Sequence, residues 1–211
     1  LRNAAELLAL IERRNTGTHT FLASAKQCES NEFNLLVDRY VLSDESLLLN
    51  QLLSDTQIVN LGDLADLLRA QSVKAEDSED LVDEFFEVGA ADIDSDGIVR
   101  GADRSIPVSK RTRGQAELLR IEPGDILLAI KGSIGIVGLS SDEAARKKWL
   151  PGQSYMIVRA KKDRIAPEVL FRYFRSPVCQ TYLKSRASGA TVKSIQMRDL
   201  KALPVLDLSP A

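Results

Sequence analysis

The sequence predicts an α+β fold, a mixed short-stranded sheet with peripheral helices. Three observations predict it. Short apolar runs closed by Gly, Pro or Asp recur through the middle of the chain. Two helical stretches, Pro167 to Arg175 and Pro177 to Ala187, then follow one another directly. There is no internal repeat and no low-complexity tract, so the strands and helices belong to layers of one ordinary core.

Ala4 to Arg14 has Ala4, Leu7, Leu8 and Ile11 at helical spacing, and Asn15-Thr16-Gly17 ends the pattern. Residues 18 to 42 have weaker periodicity; Phe33, Leu35, Val37 and Tyr40-Val41 read as an extended docking segment. Ser43 is a good N-cap for a Leu-rich helix through Leu53, with Asp44 and Glu45 in its first turn. Ile58 to Leu61 is a short strand, and Asp63 caps a short helix through Arg69. Residues 70 to 80 read as an exposed acidic loop, and Leu81 to Val88 as strand or helix. Short extended pieces follow at Ile106 to Val108, Glu117 to Ile121 and Ser154 to Ala160.

Between these pieces lies the hairpin Ile121 to Leu139. Pro123-Gly124 breaks the preceding element, and Ile126 to Ile130 is apolar on both faces, as in a strand covered on both sides. Lys131-Gly132-Ser133 turns the chain, and Ile134 to Leu139 returns with Gly135 and Gly138 inside it. Ser140 to Lys148 is a charged excursion before Trp149. Gly189 stops the second helix, and Ser194 caps a last short helix holding Met197 and Leu200.

The 211 residues suffice for one large domain or two small ones, and 44% apolar content can bury a core. Cys28 and Cys179 are too few for a disulfide framework, which points to a reducing compartment. No apolar run has membrane-spanning length, and no signal peptide is visible. The chain begins with Leu, which suggests a piece of something longer. The net charge of -2 conceals an asymmetry. Residues 1 to 97 carry 7 Lys/Arg against 20 Asp/Glu, and residues 98 to 211 carry 21 against 10. A cationic second half suits a polyanion. The plainer alternative is that the two halves neutralise one another within the fold.

Asp92-Ile93-Asp94-Ser95-Asp96-Gly97 matches the start of an EF-hand loop, D-x-D-x-D-G. Position eight is Val99, as the pattern asks, but position twelve is Asp103 where Glu is usual. The segment after it, Ser105 to Val108, reads extended where an EF-hand needs a helix, and no second loop exists to pair with it. A solvated acidic turn is therefore favoured over calcium at Asp92, Asp94 and Asp96. His19 is the only histidine and lies between two threonines, so it reads as a surface residue; a zinc site and a Ser-His-Asp triad both lack their parts. There is no P-loop, G-x-G-x-x-G or nucleophile elbow, and hence no catalytic constellation.

The basic residues carry more information. Lys110-Arg111-Thr112-Arg113 reads as a loop after Pro107; Arg146-Lys147-Lys148 precedes Trp149; Lys184, Arg186, Ser188 and Lys193 surround Gly189. With Lys131 and Ser133 at the hairpin tip, these form several cationic loops that could meet phosphates through side chains and backbone amides. Any one cluster is most simply a soluble surface; their concentration in one half favours DNA. The candidate contacts are Lys110, Arg111, Arg113, Lys131, Ser133, Arg146, Lys147, Lys148, Lys184, Arg186 and Lys193.

In this order and spacing the segments resemble a target recognition domain of type I restriction-modification specificity subunits. The similar stretches are Ile58-Val59-Asn60-Leu61-Gly62-Asp63-Leu64, the acidic turn from Ala91 to Ile98, and the hairpin pattern P-G-D-I-L-L-A-I-K-G-S-I-G. Ala166 to Leu170 with Tyr173 and Phe174, Ser188 to Val192, and Leu203-Pro204-Val205 continue it. Asn31 to Leu35 and Arg39-Tyr40-Val41 resemble the tail of N6-adenine DNA methyltransferase subunits. The resemblance implies residues 1–56 as a helical methyltransferase-like tail and 57–211 as a DNA recognition domain, without a metal at the acidic turn.

It further implies a cytoplasmic bacterial fusion that uses S-adenosylmethionine only in its full-length form, with methyltransferase and restriction subunits as partners. No cofactor is expected for these residues alone, which lack the methyl-donor and N-P-P-Y motifs. The hairpin itself is then chiefly structural, and the loops beside it carry specificity. The alternative is a protein-interaction module that docks a methylase or helicase subunit without touching DNA.

Overall fold

The computed structural model describes residues 22–30, 33, 58–74, 80–189 and 191–206. The expected helices at 4–14 and 43–53, His19 and most of the methyltransferase-like residues 1–56, all but Phe33 of the stretch 31–41 included, lie outside the described residues. The chain divides into two compact units, residues 1–48 and 49–211. In the first, one helix is described, α1 (Ala25–Ser30). Everything below belongs to the second.

That unit is built around a five-stranded sheet. Its strands are β2 (Ala65–Arg69), β4 (Ile98–Val99), β6 (Ile126–Ala129), β7 (Val137–Ser140) and β9 (Tyr155–Ala160), in the order β2-β9-β6-β7-β4. All neighbours are antiparallel except β4 and β7. The β6–β7 register sets Ile126 opposite Leu139 and Leu128 opposite Val137, which is the expected hairpin, with its second strand starting at Val137. A smaller sheet orders β5 (Arg104–Ser109), β3 (Leu81–Val88) and β8 (Trp149–Pro151) as β5-β3-β8. β1 (Ile58–Asn60) pairs with β10 (Pro204–Leu206), bringing together the first and last described strands of this unit.

The strands of the larger sheet are apolar on both faces because both faces are covered. From β6 and β9, Ile126, Leu128, Met156 and Val158 pack into one core with Leu170, Phe174 and Leu183. Leu170 and Phe174 come from α4 (Pro167–Arg175), and Leu183 from α5 (Pro177–Arg186). The alternate residues Leu127, Ala129, Tyr155 and Ile157 pack into a second core with Val88, Ile121 and Trp149. Period-two alternation thus splits one apolar run between two cores, each large side chain contributing about 2 kcal/mol. A third core of Val73, Phe85, Val108, Ala116, Leu119 and Leu150 lies under α3 (Lys110–Leu118).

Several local expectations change. Asp63 does not cap a helix to Arg69: α2 spans Leu61–Leu64, and residues 65–69 form β2, because pairing with β9 along the whole strand outweighs local propensity. Lys110 to Arg113 is not a loop but the first turn of α3. Ser109 Oγ accepts from Thr112 N while Thr112 Oγ1 accepts from Ser109 N, a reciprocal cap that starts the helix directly after β5. Glu117 and Leu118 consequently end a helix and not a strand. Leu81 to Val88 is strand. The 70–80 segment is not wholly exposed, since Val73 is buried in the third core. The last helix, α6 (Met197–Lys201), is preceded by Gln196 at its N-cap, because Ser194 is held in backbone bridges to Lys131 and Ser188. α5 ends against Ala187, two residues before Gly189.

Candidate nucleic-acid interface

The β6–β7 hairpin separates the candidate residues other than Lys184 and Arg186 into two groups. Residues 130–136 form its tip, while 141–148 leave from the far end of β7, beside the start of β6.

At the tip, Gly132 N donates to Lys193 O at 3.0 Å, and Ile195 N donates to Ile130 O at 2.9 Å. Ser188 and Ser194 exchange backbone hydrogen bonds of 3.0 and 2.8 Å, and Lys131 bridges Ser194. Two segments some sixty residues apart in sequence thereby become one surface that holds Lys131, Ser133 and Lys193, all exposed. None of the three has an ion-pair partner among the described residues. Gly135 has φ +91°, and a Cβ there would collide with Gln180 Oε1. Gln180 Nε2 in turn donates to Gly135 O at 2.9 Å and to Phe174 O at 2.8 Å, fixing the tip against α4 and α5.

At the other end, α3 presents Lys110, Arg111 and Arg113, all exposed, and a 3-10 turn (Asp142–Arg146) presents Arg146 with Lys147 beyond it. Asp83 on β3 joins these segments: it pairs with Lys148 Nζ and lies 3.8 Å from Arg113 Nε. The Lys148 hydrogen bond, then that from Glu84 N–H, holds the Asp83 carboxyl below its ordinary pKa. Lys148 also lies over the Phe85 ring, 5.6 Å from its centroid. Lys148 is therefore largely engaged within the fold, while Lys110, Arg146 and Lys147 have no ion-pair partner among the described residues.

Lys184 and Arg186 occupy the last turn of α5, where cations complement the helix dipole. The Arg186 guanidinium sits 5.1 Å from the Tyr182 ring centroid.

Supporting residues escaped the sequence reading. Asp125, 1% exposed at its side chain, accepts from Arg159 Nε and Nη2 at 2.8 Å each and from Glu122 N at 2.7 Å. The Asp125 hydrogen bond raises the Arg159 pKa. Arg159 Nη2 also donates to Arg120 O at 3.2 Å. Arg120 reaches across to the basic turn, with Nε donating to Lys147 O at 3.0 Å and Nη2 to Ala145 O at 2.9 Å. A lone Arg inside the apolar run of β9 and a lone Asp before β6 were the available signals of a buried pair.

The acidic turn is occupied by the protein itself. Asp94 accepts from Ile98 N at 2.8 Å and from Arg100 Nε at 2.7 Å, which lower its pKa, and Asp92 accepts from Gly89 N at 2.7 Å. Arg175 donates to the Ser95 and Asp96 carbonyls. Gly97 has φ +81°, and a Cβ there would lie 2.8 Å from Phe171 Cζ. Among the described residues no group of three or more His, Cys, Asp or Glu side chains could hold a metal ion. Burial raises the pKa of the Cys179 thiol well above its ordinary range, which favours the thiol over the thiolate.

Similar solved structures include three from restriction systems. The S subunit of a type I restriction-modification system from M. genitalium is 19% identical, with a TM-score of 0.45 over 72% of this chain and 35% of that one. The HsdS subunit from Thermoanaerobacter tengcongensis is 18% identical, with a TM-score of 0.46 over 97% and 45%. The type IIG restriction endonuclease BpuSI is 9% identical, with a TM-score of 0.55 over 97% and 32%; at that identity the likeness is one of fold. The chain thus spans less than half the length of each. No curated protein matches it. The family description "Type I restriction modification DNA specificity domain" matches residues 54–206, nearly all of the unit that holds both basic groups, and the chain belongs to that family.

Proposed function

We propose that residues 57–211 recognise a short sequence in double-stranded DNA, as the recognition domain of a fused N6-adenine methyltransferase-specificity protein. The observation that carries the DNA reading is the tip surface. Backbone hydrogen bonds gather Lys131, Ser133 and Lys193 there, and no carboxylate among the described residues neutralises the two lysines. Unneutralised cations on a fixed backbone suit phosphates, which position a protein on a duplex; side chains of the neighbouring loops then read base edges. The fusion rests on the methyltransferase-like residues Asn31 to Val41. In that reading the full-length protein binds S-adenosylmethionine and flips its target adenine, with methyltransferase and restriction subunits as partners in a bacterial cytoplasm. Among the described residues no helix is long and apolar enough to cross a membrane.

The test is fluorescence anisotropy with a labelled duplex across a salt series. Affinity is expected to fall with log salt, and Lys131→Ala with Lys193→Ala to reduce the slope by about 2, roughly 0.9 per phosphate contact. Affinity independent of salt excludes the phosphate contacts. Selection from a randomised duplex library is expected to return one motif; an unenriched pool excludes sequence reading. A chain that ignores duplex but captures a methylase or helicase subunit would instead be the docking module.

A further inference from the structure

α3 and the turn that carries Arg146 are fastened at both ends. At the N-terminal end of α3, Asp83 lies between Arg113 and Lys148. Just past its C-terminal end, the Arg120 guanidinium donates to two carbonyls, Ala145 O at 2.9 Å and Lys147 O at 3.0 Å, which flank Arg146. Arg120 is itself fixed, because its carbonyl accepts from Arg159, and Arg159 is gripped by the buried Asp125. A route of hydrogen bonds therefore runs from the sheet interior to the backbone on either side of an exposed, unpaired arginine.

We infer that Arg120 is a positioning residue for DNA recognition: its forked donor pair holds residues 145–147 so that Arg146 and Lys147 face the duplex already ordered. The inference rests on the proposed DNA function. Two parallel donors in a planar fork can fix two carbonyls at once, which a lysine ammonium on a flexible stem does not do with the same geometry. An ordered pair of cations spares the ordering entropy that a loose loop would lose on binding. The role of Arg120 is thus exerted through Arg146 and Lys147 and not through its own charge.

The test is a double-mutant cycle in the intact chain, read as duplex affinity at fixed low salt. Arg120→Lys keeps the charge and is expected to weaken binding roughly fivefold to tenfold. Arg146→Ala with Lys147→Ala is expected to weaken it and to reduce the salt slope by about 2. With both changes present, Arg120→Lys is expected to have no further effect. An equal effect in both backgrounds overturns the inference, as does Arg120→Lys binding like the parent chain. Hydrogen exchange at residues 142–147 is expected to quicken in Arg120→Lys while the melting temperature stays near that of the parent. Unchanged exchange overturns the inference. If the parent chain itself binds no duplex, the DNA reading fails first, and the exchange result still reports whether Arg120 orders the turn.

Discussion

Asp83 lies between two cations from different segments, Arg113 on α3 and Lys148 before β8. Its side chain is 12% exposed, whereas those of Arg113 and Lys148 are 56% and 42% exposed, so solvent screens the pairs strongly. Asp83→Asn keeps the shape and removes the charge. At pH 7 the variant is expected to be less stable by at most about 1 kcal/mol, the ceiling for such pairs. The carboxyl has its pKa lowered from 3.8 in the fold, first by Lys148 and then by the Glu84 amide. Its contribution is therefore complete at neutral pH and is lost as pH falls through the folded-state value. Urea titrations at pH 7 and pH 3 check this: the gap between parent and variant narrows in acid, and a gap that widens contradicts the arrangement. The sequence marks Lys148 as cationic but does not reveal its partner, which lies sixty-five residues away across a parallel strand contact. Asp125 and Arg159 each stand out as a lone charge beside an apolar run, but which residue pairs with which is not legible, since register and not spacing brings them together.

α3 shows at the level of an element why the basic candidates were hard to place. Its sequence, KRTRGQAEL, has no apolar stripe; Thr112 and Ala116 are its buried residues. Hydrophobic periodicity therefore gives no helix there, and only the Ser109–Thr112 cap marks its start. Ser109→Ala is expected to destabilise the chain by about 1 kcal/mol, with Ser109→Gly costing a few tenths. Thermal unfolding measures it, as a shift of roughly 2–4 °C for a domain of this size. An unchanged melting temperature would mean that packing of Ala116 and Leu119 alone holds the helix. The β6–β7 hairpin is the contrasting case. Consecutive apolar residues in β6, all of them buried in the structure, followed by a glycine-containing turn, identify a covered strand from sequence alone. β2 failed in the opposite direction, because its pairing with β9 is a long-range fact.

At the scale of the whole molecule, the plainer reading of the charge split holds in part. Asp66, Asp83 and Glu87 from the acidic half pair with Lys161, Lys148 and Arg104 from the basic half, so part of the asymmetry is neutralised inside the fold. Lys110, Lys131, Arg146, Lys147, Lys184 and Lys193 are among the exposed cations that have no ion-pair partner among the described residues. The family was legible in the order of its motifs because that order is local information, whereas the joining of the tip to residues 188–194 is a product of topology. The described core residues lie between Leu61 and Val205, and β1 pairs with β10 just outside them. Residues 49–211 are therefore expected to fold without residues 1–48 and to unfold in one cooperative transition. Calorimetry and circular dichroism on that fragment check the folding, and its duplex affinity at fixed salt is expected to equal that of the full chain. A fragment that folds cooperatively but binds more weakly would place part of the recognition surface within residues 1–48. One that does not fold would show that the first unit completes the core.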